Sequence, residues 1–179
     1  MGTVVAVEYL TIDGIMGEPS WSAPYFNGEV ADFQKDNLFG SDALLLGRDT
    51  YEGFKAAWPS MSDEAGFADK MNGMPKYVAT TTLDTGEWNA TLLKGDAVEA
   101  VAALKQEFDG QLLINGSATL FQTLHAAGLI DEYRFMIYPV LEGKGKRLFP
   151  EGTPSSALRV VKTLTTESGV IIAWYQPAS

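Results

Sequence analysis

Cysteine is absent from the 179 residues, and histidine occurs once, at position 125. Disulfides, thiolate nucleophiles, cysteine-ligated metals and a multi-histidine zinc site are thereby excluded together. A Ser–His–acid hydrolase would have only His125 to work with. Positive charge is scarce as well. Thirteen Lys and Arg stand against 23 Asp and Glu, a net charge of −10 that argues against general nucleic-acid or anionic-membrane binding. No apolar run approaches the roughly 20 residues of a membrane span. The opening Met1-Gly2-Thr3-Val4-Val5-Ala6-Val7 has no basic region and meets acidic Glu8, so it reads as a strand rather than a signal peptide. A cytoplasmic chain is expected, with chemistry drawn from a bound cofactor or from carboxylates.

What is present is ordinary globular material. Hydrophobic residues make up 46% and charged residues 20%, enough to bury a sizeable core and incompatible with global disorder. Nothing repeats and no Pro/Ser-rich linker divides the chain, so residues 1–179 read as one domain. Residues 4–9 form a nearly all-apolar strand. Residues 25–38 carry Phe26, Val30, Phe33 and Leu38 at helical spacing, with Gly40 as a stop. The continuous run 43–46, ended by Gly47, is the pattern of a strand covered on both faces. Further strands are expected at 76–82, 112–114 and 133–140. Residues 96–108 form the clearest helix, with Asp96 as cap and Glu99 at capping-box spacing. A second helix covers 118–127 and carries His125 near its end, where its charge would suit the helix dipole. Segments 158–166 and 170–176 make a hairpin around Ser168-Gly169. Alternating β and α units followed by a hairpin predict an α/β fold whose sheet is mostly parallel with an antiparallel edge. Ligands in such sheets bind beyond the carboxyl ends of the strands.

Two strand–glycine–helix junctions sit at that address. In Gly47-Arg48-Asp49-Thr50, the glycine permits a close turn, Arg48 offers a fork for phosphate, and Thr50 opens a short helix. The same residues also fit a plain turn with a solvated arginine. In Asn115-Gly116-Ser117-Ala118-Thr119, Gly116 permits close approach and hydroxyls lie beside the N–H groups of a helix start, while a simple cap at Ser117 is the alternative. Two such junctions on neighbouring buried strands fit a ligand with two phosphate regions, such as a dinucleotide, although Gly-x-Gly-x-x-Gly is missing. Thr80-Thr81-Thr82 adds a row of hydroxyls at another strand end, where β-propensity alone also favours threonine. Trp21, Tyr25 and Phe26 fit either a pocket for a flat heterocycle or a core-facing helix start. Asp63 and Glu64 read as helix-start charges, and Lys144, Lys146 and Arg147 as a glycine-rich loop that is solvated or greets a phosphate.

The order of motifs from Thr11-Ile12-Asp13-Gly14 through Leu46-Gly47-Arg48-Asp49-Thr50, Ile114-Asn115-Gly116-Ser117 and Pro139-Val140-Leu141-Glu142-Gly143 to Leu148-Phe149 resembles the dihydrofolate-reductase-like superfamily. More narrowly, it resembles free-standing relatives of the C-terminal reductase domain of the riboflavin-biosynthesis deaminase–reductase. The resemblance implies a three-layer fold and an NADPH-dependent oxidoreductase that transfers hydride to a small heterocyclic or ribosylaminopyrimidine-type substrate. A cofactor-binding protein with little turnover and a dihydrofolate or pteridine reductase are the alternatives. It also implies that Gly47, Arg48 and Thr50 meet cofactor phosphates and that Thr80 and Thr81 face the 2′-phosphate side. Asn115, Gly116, Ser117, Ala118 and Thr119 would hold the pyrophosphate and nicotinamide half. Residues 13–21 resemble a loop closing over the nicotinamide. Asp13, Glu29 and Asp32 are the carboxylates offered for catalysis, although neither Glu29 nor Asp32 aligns cleanly. Ile15 stands where the riboflavin-pathway reductases typically carry a basic residue. A homodimer is expected from family habit and from the apolar strand at residues 135–140. No metal and no companion deaminase are expected.

Overall fold

A computed structural model describes residues 1–17 and 19–179. Its eight strands are β1 (Thr3–Thr11), β2 (Ala43–Gly47), β3 (Lys76–Ala79), β4 (Ala90–Leu93), β5 (Gln111–Asn115), β6 (Glu132–Tyr138), β7 (Leu158–Thr165) and β8 (Ile171–Pro177). The five α-helices are α1 (Gly28–Phe39), α2 (Arg48–Ala57), α3 (Phe67–Gly73), α4 (Ala97–Glu107) and α5 (Ala118–Ala126). The strands form one sheet in the order β4-β3-β2-β5-β1-β6-β8-β7. Pairing is parallel from β4 through β6, and β8 and β7 close the far edge antiparallel.

Three layers follow from the period-two alternation of buried strands. Val4, Ala6, Leu45, Leu112 and Ile114 face α4 and α5 through Val101, Leu104, Leu120 and Phe121. Val5, Val7, Leu44, Leu46 and Leu113 face the other way, onto Val30 and Phe33 of α1, Tyr51 of α2 and Met71 of α3. Both faces being covered explains the unbroken apolar runs in β2 and β5.

Helix ends lie where polar side chains take the first N–H groups. Asp96 accepts from Glu99 N–H at 2.9 Å and starts α4. Asp63 accepts from Phe67 and Ala68 N–H at 2.9 Å and starts α3. The helix expected from residue 25 begins instead at Gly28, because Asn27 caps it by accepting from Val30 N–H at 3.0 Å, while residues 19–25 form a 3-10 segment. The strand expected to run to residue 82 stops at Ala79. Thr80 Oγ1 accepts from the N–H groups of Thr82 and Leu83 and folds the chain into a turn. Helix α2 starts at Arg48, two residues before Thr50.

Candidate active site

Strand order places the carboxyl ends of β3, β2, β5 and β1 side by side, and the chemistry-bearing segments follow those ends. Neither α2 nor α5 has a side-chain cap. Their N-terminal N–H groups therefore face outward with the positive ends of two helix dipoles. The two starts are stitched together: Gly47 N–H donates to Ser117 Oγ at 3.0 Å, and Ser117 N–H donates to Thr50 Oγ1 at 3.1 Å. A plain cap at Ser117 is thereby corrected, since this residue adopts a left-handed conformation (φ 53°) and turns its hydroxyl to the neighbouring junction.

Between these helix starts lies a hollow of about 410 Å³ lined by Gly47, Arg48, Thr50, Gly116, Ser117 and Thr119. Lys146 reaches the same hollow from the glycine-rich loop. It continues into a second hollow of about 270 Å³ along Arg48, Thr80, Thr81, Thr82 and Thr119. Ala118 also lines the first hollow, whereas Asn115, at the end of β5, does not. Of the residues offered for phosphate contact, Gly47, Arg48, Thr50, Thr80, Thr81, Lys146 and residues 116–119 thus border one continuous depression, and Lys144 and Arg147 do not. Arg48 is 45% exposed; its Nε and Nη2 donate to Asp49 Oδ1, and its Nη1 donates to Thr82 Oγ1 at 3.1 Å. Thr82, which was grouped with Thr80 and Thr81 only as a run, is the hydroxyl that meets the guanidinium. Thr80 is buried and its oxygen is turned to its own backbone.

On the inner side of Gly116 and Thr50 opens a cavity of about 510 Å³. Tyr9, Phe54, Trp58 and Phe67 supply aromatic walls, and Glu8, Gln34 and Asn37 supply polar groups. Gln34 Nε2 hydrogen-bonds the Tyr9 hydroxyl. Burial raises the Tyr9 phenol to about 12, with the neighbouring Glu8 charge adding to it, so this phenol is neutral. Burial also pushes Glu8 well above its ordinary range, against a backbone hydrogen bond from Gly116 that acts the other way. Glu8 is the residue that the sequence reading passed over. Its signal was a lone charge inside an apolar strand that is buried on both faces.

The carboxylates offered for catalysis lie elsewhere. Asp13 accepts from Thr11 Oγ1 at 2.5 Å and from the N–H groups of Glu142 and Gly143 at 3.3 and 2.7 Å. These bonds hold its carboxyl down at about 2, so it is an ionised clasp for the glycine-rich loop and not a proton donor. Arg147 Nη1 adds a bond to the Asp13 carbonyl at 2.9 Å. Glu29 accepts from Glu167 N–H at 2.8 Å, tying α1 to the β7–β8 turn, and Asp32 is exposed. Neither lines the cavity. From α1 it is Gln34, Asn37 and Leu38 that do. Of the stretch 13–21, Glu18 lies outside the described residues and Trp21 packs edge-on against Tyr138 with ring centres 5.2 Å apart; beyond it, Phe26 is exposed. His125 Nδ1 lies 2.7 Å from the Tyr133 hydroxyl, its ring stacks on Phe121, and burial lowers its pKa.

The model of the RibD C-terminal domain family matches residues 3–172. The Bacillus subtilis (strain 168) protein YyaP is 29% identical over 163 residues, 89% of this chain and 85% of that protein. A putative riboflavin biosynthesis protein from Shewanella sp. PV-4 superposes with a TM-score of 0.81 at 22% identity, covering 99% of each chain. Enterococcus faecalis dihydrofolate reductase, solved with NADP(H), superposes with a TM-score of 0.67 at 19% identity over 99% of this chain and 97% of its own. The architecture is therefore dihydrofolate-reductase-like, with its mixed sheet between helical layers and its antiparallel hairpin at the edge. The chain belongs to the RibD C-terminal domain family.

Proposed function

We propose that this protein is an NADPH-dependent reductase acting on a small heterocyclic or ribosylaminopyrimidine-type compound. The observation that carries the reading is the pair of uncapped, mutually bonded helix starts of α2 and α5 opening onto one groove continuous with an aromatic cavity. Two positive helix ends in one groove suit a diphosphate. A left-handed Gly116 (φ +62°) whose added Cβ would lie 3.6 Å from Thr50 Oγ1 keeps the backbone surface low beside that groove. Gly47 and the residues 115–119 would hold the pyrophosphate and nicotinamide half. Arg48, with Thr81 and Thr82 beside it and Thr80 holding the turn, would take the 2′-phosphate. When bound, the cofactor supplies the hydride; the chain's own part is to orient both reactants and exclude water. The same reading takes the protein as a homodimer of one-domain subunits.

Isothermal titration of NADPH and NADH against wild type and Arg48→Ala tests the cofactor half. A hydrogen bond to a charged group contributes about 1.5–3 kcal/mol. The guanidinium is half exposed and already shared with Asp49, so the low end applies: about a tenfold loss for NADPH. NADH, which lacks the 2′-phosphate, should change little. Equal losses for both would move Arg48 to the pyrophosphate. Failure of the wild type to bind NADPH would overturn the reading.

A further inference from the structure

Strands β1 and β5 pair only as far as Val7 and Asn115. Past that point Glu8 and Gly116 face each other across the split, and both line the aromatic cavity. Glu8 is 2% exposed, takes the Gly116 backbone hydrogen bond, and leaves its Oε1 without a partner among the described residues. Asn37, 4% exposed, lines the same cavity from α1. Its Oδ1 accepts from Arg134 Nη1 at 2.6 Å, which fixes the amide's orientation and leaves Nδ2 without a partner among the described residues. Buried polar atoms are almost always paired, because desolvation without a hydrogen bond costs stability. Of the three unpaired side-chain atoms found among the described residues, two belong to the wall of this one cavity. A ligand is the natural partner for both.

We propose that the Glu8 carboxyl and the Asn37 amide together read the lactam edge of a flat heterocycle seated among Tyr9, Phe54 and Trp58. This rests on reading the cavity as the substrate half of the reductase. Burial favours the neutral acid at Glu8. A neutral acid presents one donor and one acceptor, the complement of a lactam's C=O and N–H, and Asn37 Nδ2 adds a donor for a neighbouring carbonyl. The aromatic walls would hold the ring's faces. A carboxylate ligand would gain no cation from this wall.

Glutamine keeps the donor and acceptor of a neutral acid, whereas leucine keeps only the approximate shape. Titration calorimetry with lumazine (pteridine-2,4-dione) at slightly acid pH separates these roles. Wild type and Glu8→Gln should bind it within a few-fold of each other, and Glu8→Leu should bind at least about tenfold more weakly. On wild type, 1,3-dimethyllumazine, which has no lactam N–H, should lose as much. If Glu8→Leu fails to fold by circular dichroism, the glutamine and dimethyllumazine arms still decide. Equal affinity for the dimethyl compound, unchanged affinity in Glu8→Leu, a glutamine variant as weak as leucine, or no lumazine binding by wild type would each overturn the proposal. NADPH is titrated separately into the wild type; failure there strikes the cofactor reading alone, because lumazine binding is scored without cofactor.

Discussion

A single carboxyl in the wrong solvent sets the pH behaviour of this molecule's centre. Glu8 is desolvated and its pKa lies well above the ordinary 4.5. Between those two values the folded chain holds more protons than the unfolded chain, so stability falls as pH rises through that window. Glu8→Gln carries no such titration. The melting temperature of the glutamine variant should therefore gain on that of wild type as pH is raised from about 5 to about 8. A constant gap across that range would mean that Glu8 titrates in the folded chain as it does in the unfolded one and is not desolvated in solution. Asp13 has the opposite sign: its pKa is lowered to about 2, so its clasp on the glycine-rich loop is intact above its ordinary range and released only in strong acid.

At the scale of elements, the junction between β5 and α5 gives the sharper test. Gly116 has φ +62°, and the nearest atom to an added Cβ is Thr50 Oγ1 at 3.6 Å, ordinary contact. The cost of a side chain there is the backbone angle and not lack of room, and a β-branched residue tolerates that angle worst. Gly116→Val should leave a folded protein, lower its melting temperature by a few degrees, on the order of 1–2 kcal/mol, and abolish NADPH binding. Unchanged cofactor affinity would reduce the junction to a helix start. The elements legible in the sequence were those with period or caps: β1, β2 and β5 as apolar runs, α4 from Asp96, and the β7–β8 hairpin from Ser168-Gly169. Strand β4 was not legible. It is a half-exposed edge strand of four residues, entered through left-handed Trp88 and Asn89, with the Lys76 ammonium 3.8 Å from the Trp88 ring centre. That is long-range packing with no local signature. Helix α3 is seven residues long and was likewise missed apart from its Asp63 cap. At the site, glycines and hydroxyls beside strand ends pointed to residues that border the groove. The cavity walls could not be read, because Gln34, Asn37, Phe54, Trp58 and Phe67 meet Glu8 only after three helices have packed.

For the whole molecule, the expected homodimer needs a different surface from the one the sequence pointed to. Strand β6 is an inner strand, paired with β1 on one side and β8 on the other, so its apolar residues are consumed by the fold. The edge strand on that side of the sheet is β7, and it exposes Val160 (54%), Val161 (44%) and Leu164 (42%). An unpaired edge strand with such side chains is a ready template for a second copy. Sedimentation at about ten micromolar should show a dimer, and Val160→Glu should shift it to monomer. Each copy carries a net charge of −10, so added salt should strengthen the association by screening like charge. A wild-type monomer at every salt concentration would end the dimer reading.

The position of β1 in the sheet also dictates when the molecule can exist at all. Thr3 is in register with Gln111, and Val5 with Glu132. Strand β1 must wait, unpaired and apolar, until synthesis has reached Gln111 before either flank arrives. Such non-local pairing is slow to form and leaves a sticky segment uncovered meanwhile. The split between β1 and β5, where Glu8 and Gly116 meet, therefore cannot form before residue 116 is made, and nascent chains that end before β6 should depend on holdase chaperones to stay in solution.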